Sequence, residues 1–280
     1  MIRFTGILSL QNVHRWLFLL TFVCIFAGFG SGCSTQATID GASIGRAEVV
    51  TESDETNERK RARIRIELAM GYFEQGKTSI ALDELKQAIA ADPTFSDGYS
   101  MRGLIYMRLN DFAFAEESFN KALSYKPNDS NVLHNLGWLK CQQALYQQSL
   151  QFFSQALANP MYGARAKTLM AQGLCQVRTG MYSEAEASLL KSYEYDAANP
   201  VTGYNLASLL YRKKDFVRAQ FYIRRLNNSE LANSESLWLG IKVENRLNNA
   251  EAMNQLAAQL EKRFSQSNEA ALYRRAAFNE

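Results

Sequence analysis

The chain has 280 residues, of which 47% are hydrophobic and 21% charged, and such a composition can bury a core rather than stay disordered. Four prolines and 16 glycines leave room for long helices. The net charge is +3, and without Arg3 and Arg15 there are 29 basic residues against 28 acidic ones. This balance excludes the basic footprint of a nucleic-acid-binding protein and a basic cluster for an anionic membrane surface.

Residues 1–32 have the pattern of a signal peptide. Arg3 and Arg15 precede an apolar run over residues 16–27, and small residues follow up to Gly32. A cationic start, a short apolar centre and a small-residue end are typical of secretion signals. The alternative is a retained transmembrane helix, but the run is shorter than the ~20 residues that a span needs.

The segment that ends at Cys33 resembles a bacterial lipobox, in which the cysteine thiol takes lipid. We therefore expect covalent lipid such as palmitate on Cys33, and no other cofactor. Each buried CH₂ contributes about 0.8 kcal/mol, so several acyl chains would anchor the protein stably. Ser34 follows, and in the lipoproteins that this segment resembles a serine there permits export to the outer membrane. The predicted location is the periplasmic face of that membrane.

After the cysteine, residues 33–60 are expected to form a flexible tether. This segment is rich in Ser, Thr, Glu and Asp and shows no periodic apolar face. Polar segments of this kind cannot bury enough apolar surface to order themselves.

A repeat of 34 residues organises residues 61–264. The matched series are Ala81, Ala115 and Ser149; Leu85, Phe119 and Phe153; and Ala88, Ala122 and Ala156. A 34-residue period is that of the tetratricopeptide repeat (TPR), a pair of helices with small residues where they cross. About six repeats fit the segment, and no stretch alternates as a strand would. We predict an all-α TPR superhelix, an α-solenoid, with residues 265–280 as a polar C-terminal tail.

The sequence lacks the residues that most enzymes need. His14 lies in the predicted signal, so His134 is the only histidine left for a metal site or a catalytic triad. We expect His134 to be solvated or to face the groove of the superhelix. No GxxxxGK[ST], GxGxxG or CxxC motif occurs, and the many carboxylates are expected on solvent faces. The protein is therefore not expected to be an enzyme or to bind a metal.

Two cysteines, Cys141 and Cys175, remain after the signal and the lipid site are set aside. They fall on the first helices of the third and fourth repeats, which are neighbours in a TPR stack. Exported compartments are oxidising, so we expect a disulfide between them. The alternative is a pair of buried free thiols.

The first helix of each TPR lines the concave face, and its inward positions predict a groove for a protein partner. Apolar and aromatic side chains with arginines at the edge suit an extended or helical polypeptide segment. Trp138 is the expected anchor, and the competing interpretation is ordinary interior packing. The predicted groove residues are Ile66, Met70, Phe73, Leu104, Met107, Arg108, Trp138, Arg178, Tyr211 and Arg212.

Several runs between the generic repeat positions resemble the PilF/PilW family of outer-membrane lipoproteins. They include residues 65–72 (RIELAMGY), 86–93 (KQAIAADP), 102–107 (RGLIYM), 137–142 (GWLKCQ), 173–175 (GLC), 204–207 (YNLA) and 235–242 (ESLWLGIK). The resemblance covers nearly all of the chain after the tether.

This resemblance implies a pilotin of type IV pilus biogenesis. Such a protein would bind the pilus secretin, bring it to the outer membrane and promote its multimerisation, which twitching motility requires. We expect a monomer whose partners are the secretin and other pilus assembly proteins. The alternatives are a TPR lipoprotein of β-barrel assembly and a scaffold that docks peptidoglycan enzymes.

Overall fold

The computed structural model describes residues 54–278, and within them the regular structure consists of helices without a strand. The predicted signal peptide, Cys33 and all but the end of the predicted tether lie outside these residues. The helices are α1 (Asn57–Glu74), α2 (Thr78–Ala91), α3 (Ser96–Arg108), α4 (Phe112–Tyr125), α5 (Ser130–Gln142), α6 (Tyr146–Ala158), α7 (Arg165–Arg178), α8 (Tyr182–Tyr195), α9 (Pro200–Arg212), α10 (Phe216–Asn227), α11 (Ser234–Arg246), α12 (Ala250–Phe264) and α13 (Asn268–Arg274).

The first twelve helices form six consecutive pairs, and each pair packs on the next. The first helices of successive pairs, α1, α3, α5, α7, α9 and α11, also contact one another. This is the arrangement of a TPR solenoid, whose first helices line a continuous inner surface. The predicted all-α TPR superhelix is confirmed.

A glycine faces a large side chain where the two helices of an inner repeat cross. A Cβ on Gly103 would lie 2.5 Å from Phe119, and one on Gly137 would lie 2.6 Å from Phe153. Contacts below 3 Å are not tolerated, so these positions need glycine. The rings are fully buried, which places the core of each repeat at this crossing.

The turn inside each repeat contains one residue in the left-handed conformation. Four of the five intervals between successive turns are 34 residues long, but 36 residues separate Ala144 from Gly180. The extra two residues lie in the connection between α6 and α7. The six left-handed residues are Gly76, Asn110, Ala144, Gly180, Lys214 and Asn248.

Both ends of the solenoid are more ordered than the sequence suggested. Helix α1 begins at Asn57, inside the segment expected to be tether, and Thr56 caps it by accepting a hydrogen bond from the Arg59 N–H. The expected polar tail instead contains α13, whose Ala270 is buried. Phe278 then stacks on Trp238, with ring centroids 5.5 Å apart. Among the described residues, no helix combines the length and apolar character needed to cross a membrane.

Candidate functional site

An apolar groove of about 250 Å³ opens on the inner surface at the second, third and fourth repeats. Three first helices, α3, α5 and α7, supply its walls. We call this cleft the apolar groove. Its residues are Leu104, Met107, His134, Asn135, Trp138, Lys167, Met170, Ala171 and Leu174.

Trp138 is the central aromatic residue of the apolar groove. Its side chain is half-buried and packs on the core cluster of Cys141, Phe153 and Cys175. The Arg178 guanidinium lies over the ring, 5.4 Å from its centre, in a cation–π contact. A large ring held from beneath and open to the groove has the properties of a binding anchor.

A Cys141–Cys175 disulfide joins α5 to α7 directly beneath this ring. The two Cα atoms are 5.9 Å apart, and each cysteine is 1% exposed. The Ser149 hydroxyl lies 3.4 Å from the Cys175 sulfur. This geometry ties the third repeat to the fourth at the floor of the groove.

His134 is buried, so the expectation of a solvated side chain is wrong, while the imidazole does line the groove. A hydrogen bond of 2.9 Å joins its Nδ1 to the Thr168 hydroxyl, which also bonds the Tyr162 hydroxyl at 3.0 Å. Burial, and to a lesser degree the charge of Lys167, lower the pKa of His134 from 6.5 to about 4. The imidazole is therefore neutral at physiological pH.

A second cleft of about 520 Å³, here called the polar groove, lies on the inner surface towards the C-terminus. The Lys242 ammonium lies 5.7 Å from the centre of the Tyr211 ring and 5.5 Å from that of Trp238. Burial lowers the pKa of Lys242. Helices α9, α11 and α13 contribute its residues, which are Tyr204, Ser208, Tyr211, Arg212, Glu235, Trp238, Leu239, Lys242 and Glu269.

The predicted groove residues do not all line one cleft in the structure. Leu104, Met107 and Trp138 line the apolar groove, whereas Tyr211 and Arg212 line the polar groove. Two of the predicted arginines lie over rings, Arg178 over Trp138 and Arg108 over Phe73 at 5.3 Å. The α1 residues line neither cleft: Ile66 and Phe73 pack on the core of the first repeats, and Met70 is exposed.

The predicted groove residues do not include most of the residues that line either cleft. Met170 and Leu174 occupy inward positions of α7, the helix from which the sequence predicted only Arg178. Trp238 and Lys242 are four residues apart and so share one side of α11. Glu269 comes from α13, which the sequence did not predict.

The chemistry of both clefts favours binding of a polypeptide. Within residues 54–278, no group of three or more His, Cys, Asp or Glu side chains is arranged to hold a metal ion. The apolar groove can bury apolar side chains of a bound segment. The polar groove combines the cation of Lys242, which lies over two rings, with the carboxylates of Glu235 and Glu269. Grooves of this kind accept helical or extended segments of other proteins.

Comparison with known proteins agrees with this architecture. The family model for the tetratricopeptide repeat matches residues 96–129, which cover α3 and α4. The type IV pilus assembly protein PilF of Pseudomonas aeruginosa is 26% identical over 178 residues, which are 64% of this chain and 71% of that protein. The chain is a PilF/PilW-like TPR protein.

Two solved structures show how far the likeness extends. The structure of PilW, described as a widely conserved type IV pilus biogenesis factor, is 28% identical, with a TM-score of 0.69 over 76% of this chain and 97% of PilW. The structure of Pseudomonas aeruginosa PilF is 23% identical, with a TM-score of 0.71 over 79% of this chain and all of that chain. The resemblance inferred from the sequence is confirmed for the PilF/PilW-like TPR part.

Proposed function

We propose that this protein serves type IV pilus biogenesis as a pilotin that binds the pilus secretin and promotes its multimerisation in the outer membrane. The likeness to PilF and PilW supports the pilus assignment. The observation that carries the binding role is the apolar groove, with Trp138 held open at its centre.

The groove would act by covering apolar surface of an unassembled secretin subunit. Such subunits expose strand edges and hydrophobic side chains, which aggregate unless they are shielded. Leu104, Met107 and Leu174 would bury apolar side chains of the segment around the Trp138 anchor. No bond is broken in this step, so binding suffices and no catalytic residue is required.

Lipid on Cys33 would place the groove at the outer membrane. The proposed anchor precedes the solenoid, so a bound secretin subunit would travel with the lipoprotein to the membrane where the multimer forms. An unlipidated protein would still bind the secretin but would not deliver it.

Gene deletion and complementation test the proposal. Secretin multimers are measured in fractionated membranes on unheated gels, after complementation with wild type, Trp138→Ala, Cys33→Ser or the control Met161→Ala, whose side chain is 88% exposed. We expect wild type and Met161→Ala to restore outer-membrane multimers and the other two to fail. Normal secretin multimers in the deletion strain, with a loss of other outer-membrane barrels, would instead indicate a role in barrel assembly.

A further inference from the structure

Gly203 occupies a position that carries a large side chain in other repeats. Four residues before the small crossing residue of the first helix, the second, third and fourth repeats carry Tyr99, Leu133 and Leu169, all buried. The same position in the fifth repeat, four residues before Ala207, is Gly203. Gly203 is itself buried, yet a Cβ built on it meets no atom within 4 Å. The fifth repeat therefore has no side chain at this position, and the space that such a side chain would occupy remains between the helices.

The surroundings of that space match a filled site elsewhere in the molecule. In the third repeat Leu133 packs in one cluster with Leu123, Phe152 and Ala156. The residues equivalent to Leu123, Phe152 and Ala156 beside Gly203 are Tyr193, Tyr222 and Leu226. Together with their neighbours they enclose a cavity of about 240 Å³. The cavity shares no residue with the apolar or the polar groove.

Two polar groups at this cavity have no hydrogen-bond or ion-pair partner among the described residues. The Tyr193 hydroxyl is fully enclosed and has no hydrogen-bond partner among the described residues. The Arg225 guanidinium lies 5.7 Å from the centre of the same ring and is in no ion pair within the described part of the chain. By contrast, Arg218 and Arg224 on the same helix are paired with Glu186 and Glu244.

The charge at the cavity has one sign. Among the described residues that line it, Arg225 is the charged one, and the rest are apolar, aromatic or neutral. Leu231 lies at the edge and is 56% exposed, which extends the apolar surface outward. An apolar hole beside an arginine and a buried hydroxyl is complementary to a ring that carries a nearby carboxylate.

We propose that this cavity binds the carboxyl-terminal aromatic residue of a partner polypeptide. The ring would fill the space that Leu133 fills in the third repeat, against Tyr222 and Leu226. The terminal carboxylate would accept hydrogen bonds from the Arg225 guanidinium and the Tyr193 hydroxyl. The site would thus recognise a chain end, independently of the segment bound in the apolar groove.

Peptide titration of the full-length protein in detergent tests this assignment. The probe is a fluorescein-labelled octapeptide that ends in phenylalanine with a free carboxylate, and binding is followed by fluorescence anisotropy. The comparison peptides carry a terminal amide or end in alanine. We expect the free-acid phenylalanine peptide to bind at least about tenfold more tightly than either, because each lacks one of the two matched groups.

Variants separate the cavity from other sites. Gly203→Leu restores the side chain present at Leu133 and should abolish saturable binding with no fall in melting temperature. Gly71→Leu is the matched control, since Gly71 is also helical and a Cβ there also meets nothing within 4 Å. Should Gly203→Leu fail to fold, Arg225→Gln and Tyr193→Phe replace it, and each should reduce affinity for the free acid towards that for the amide.

Three results would overturn the proposal. One is the absence of saturable binding of the phenylalanine peptide to the wild-type protein. Another is equal affinity for the free acid and the amide, and the third is unchanged binding by folded Gly203→Leu. None of these results bears on the secretin experiment, because Trp138 and Gly203 line different cavities.

Discussion

The apolar groove and the polar groove lie on the same inner surface but are lined by side chains of different character. The first is lined mainly by aliphatic and thioether side chains around Trp138. The second sets Lys242 over the rings of Tyr211 and Trp238, beside Arg212 and two carboxylates. Burial of apolar surface supplies affinity, whereas charged groups contribute mainly to orientation and association rate. One solenoid can therefore hold a segment at one place and fix its direction at another.

The interactions that hold the two grooves in shape also differ. The floor of the apolar groove is tied by the Cys141–Cys175 disulfide and by the buried hydrogen bonds of His134. The polar groove depends on cation–π stacks and on α13, a helix of seven residues. The first region should be the more rigid one, and each support can be removed separately.

Removing the disulfide should have the largest effect on stability. A cross-link that closes a loop of 34 residues stabilises a fold by about 3–4 kcal/mol through loss of entropy in the unfolded chain. The double variant Cys141→Ser, Cys175→Ser should lose that amount in chemical denaturation. Wild type with reductant should behave in the same way, while the double variant should not respond to reductant.

Thiol titration of the denatured wild-type protein distinguishes the two states of this pair. Equal counts before and after reduction would show that the cysteines are free thiols. The disulfide would then contribute nothing, and the difference in rigidity between the two grooves would rest on His134 alone.

Acid should lower the free energy of unfolding through His134, which lines the apolar groove. In the unfolded chain this imidazole takes up a proton near pH 6.5, whereas in the fold it does so only near pH 4. Between these values the unfolded state binds more protons, so the free energy of unfolding falls as the pH falls from about 6.5 to 4. The loss should approach about 3 kcal/mol and then level off.

The variant His134→Asn serves as the reference, because an amide can occupy the Nδ1 position beside Thr168 without titrating. Denaturation of both proteins between pH 7 and pH 4 gives the difference in slope. Parallel curves would show that His134 is accessible to protons in the folded protein and that its burial has no linkage to stability.

Trp138→Ala should reduce secretin binding by about 2 kcal/mol, roughly thirtyfold, because it removes a half-buried ring at the centre of the apolar groove. Since no charge changes, the salt dependence of binding should stay as in the wild type. Met161→Ala is the control. Equal binding by Trp138→Ala would mean that the ring serves packing, and the polar groove would become the main contact.

The repeat interior could be predicted from the sequence, because the small residue and its large partner recur at fixed spacing. Gly103 with Phe119 and Gly137 with Phe153 follow that rule in the structure. The groove was predicted only in part: Arg178 of α7 was named, whereas Met170 and Leu174 of the same helix were not. The repeat pattern tells which side of a first helix faces inward, but which inward side chains line a cleft depends on how the helices pack.

Helix α13 could not have been predicted, for an energetic reason. A helix of seven residues is not stable alone, so its local sequence gives only a weak signal. It forms because Ala270 is buried against the last repeat and Phe278 stacks on Trp238. Glu269 enters the polar groove as a consequence of this packing, which no pattern within residues 265–280 reveals.

Lys242→Gln should have the smallest effect, and it tests whether the polar groove contributes charge to binding. Burial lowers the pKa of Lys242, whose amine lies against the rings of Tyr211 and Trp238. We expect a loss of about 1 kcal/mol in secretin binding, with a shallower dependence on salt than in the wild type. Trp138→Ala should weaken binding at every salt concentration alike, so titrations at two salt concentrations distinguish the variants. An unchanged salt dependence in Lys242→Gln would mean that the polar groove does not touch the secretin, and the apolar groove would then bind the segment without fixing its direction.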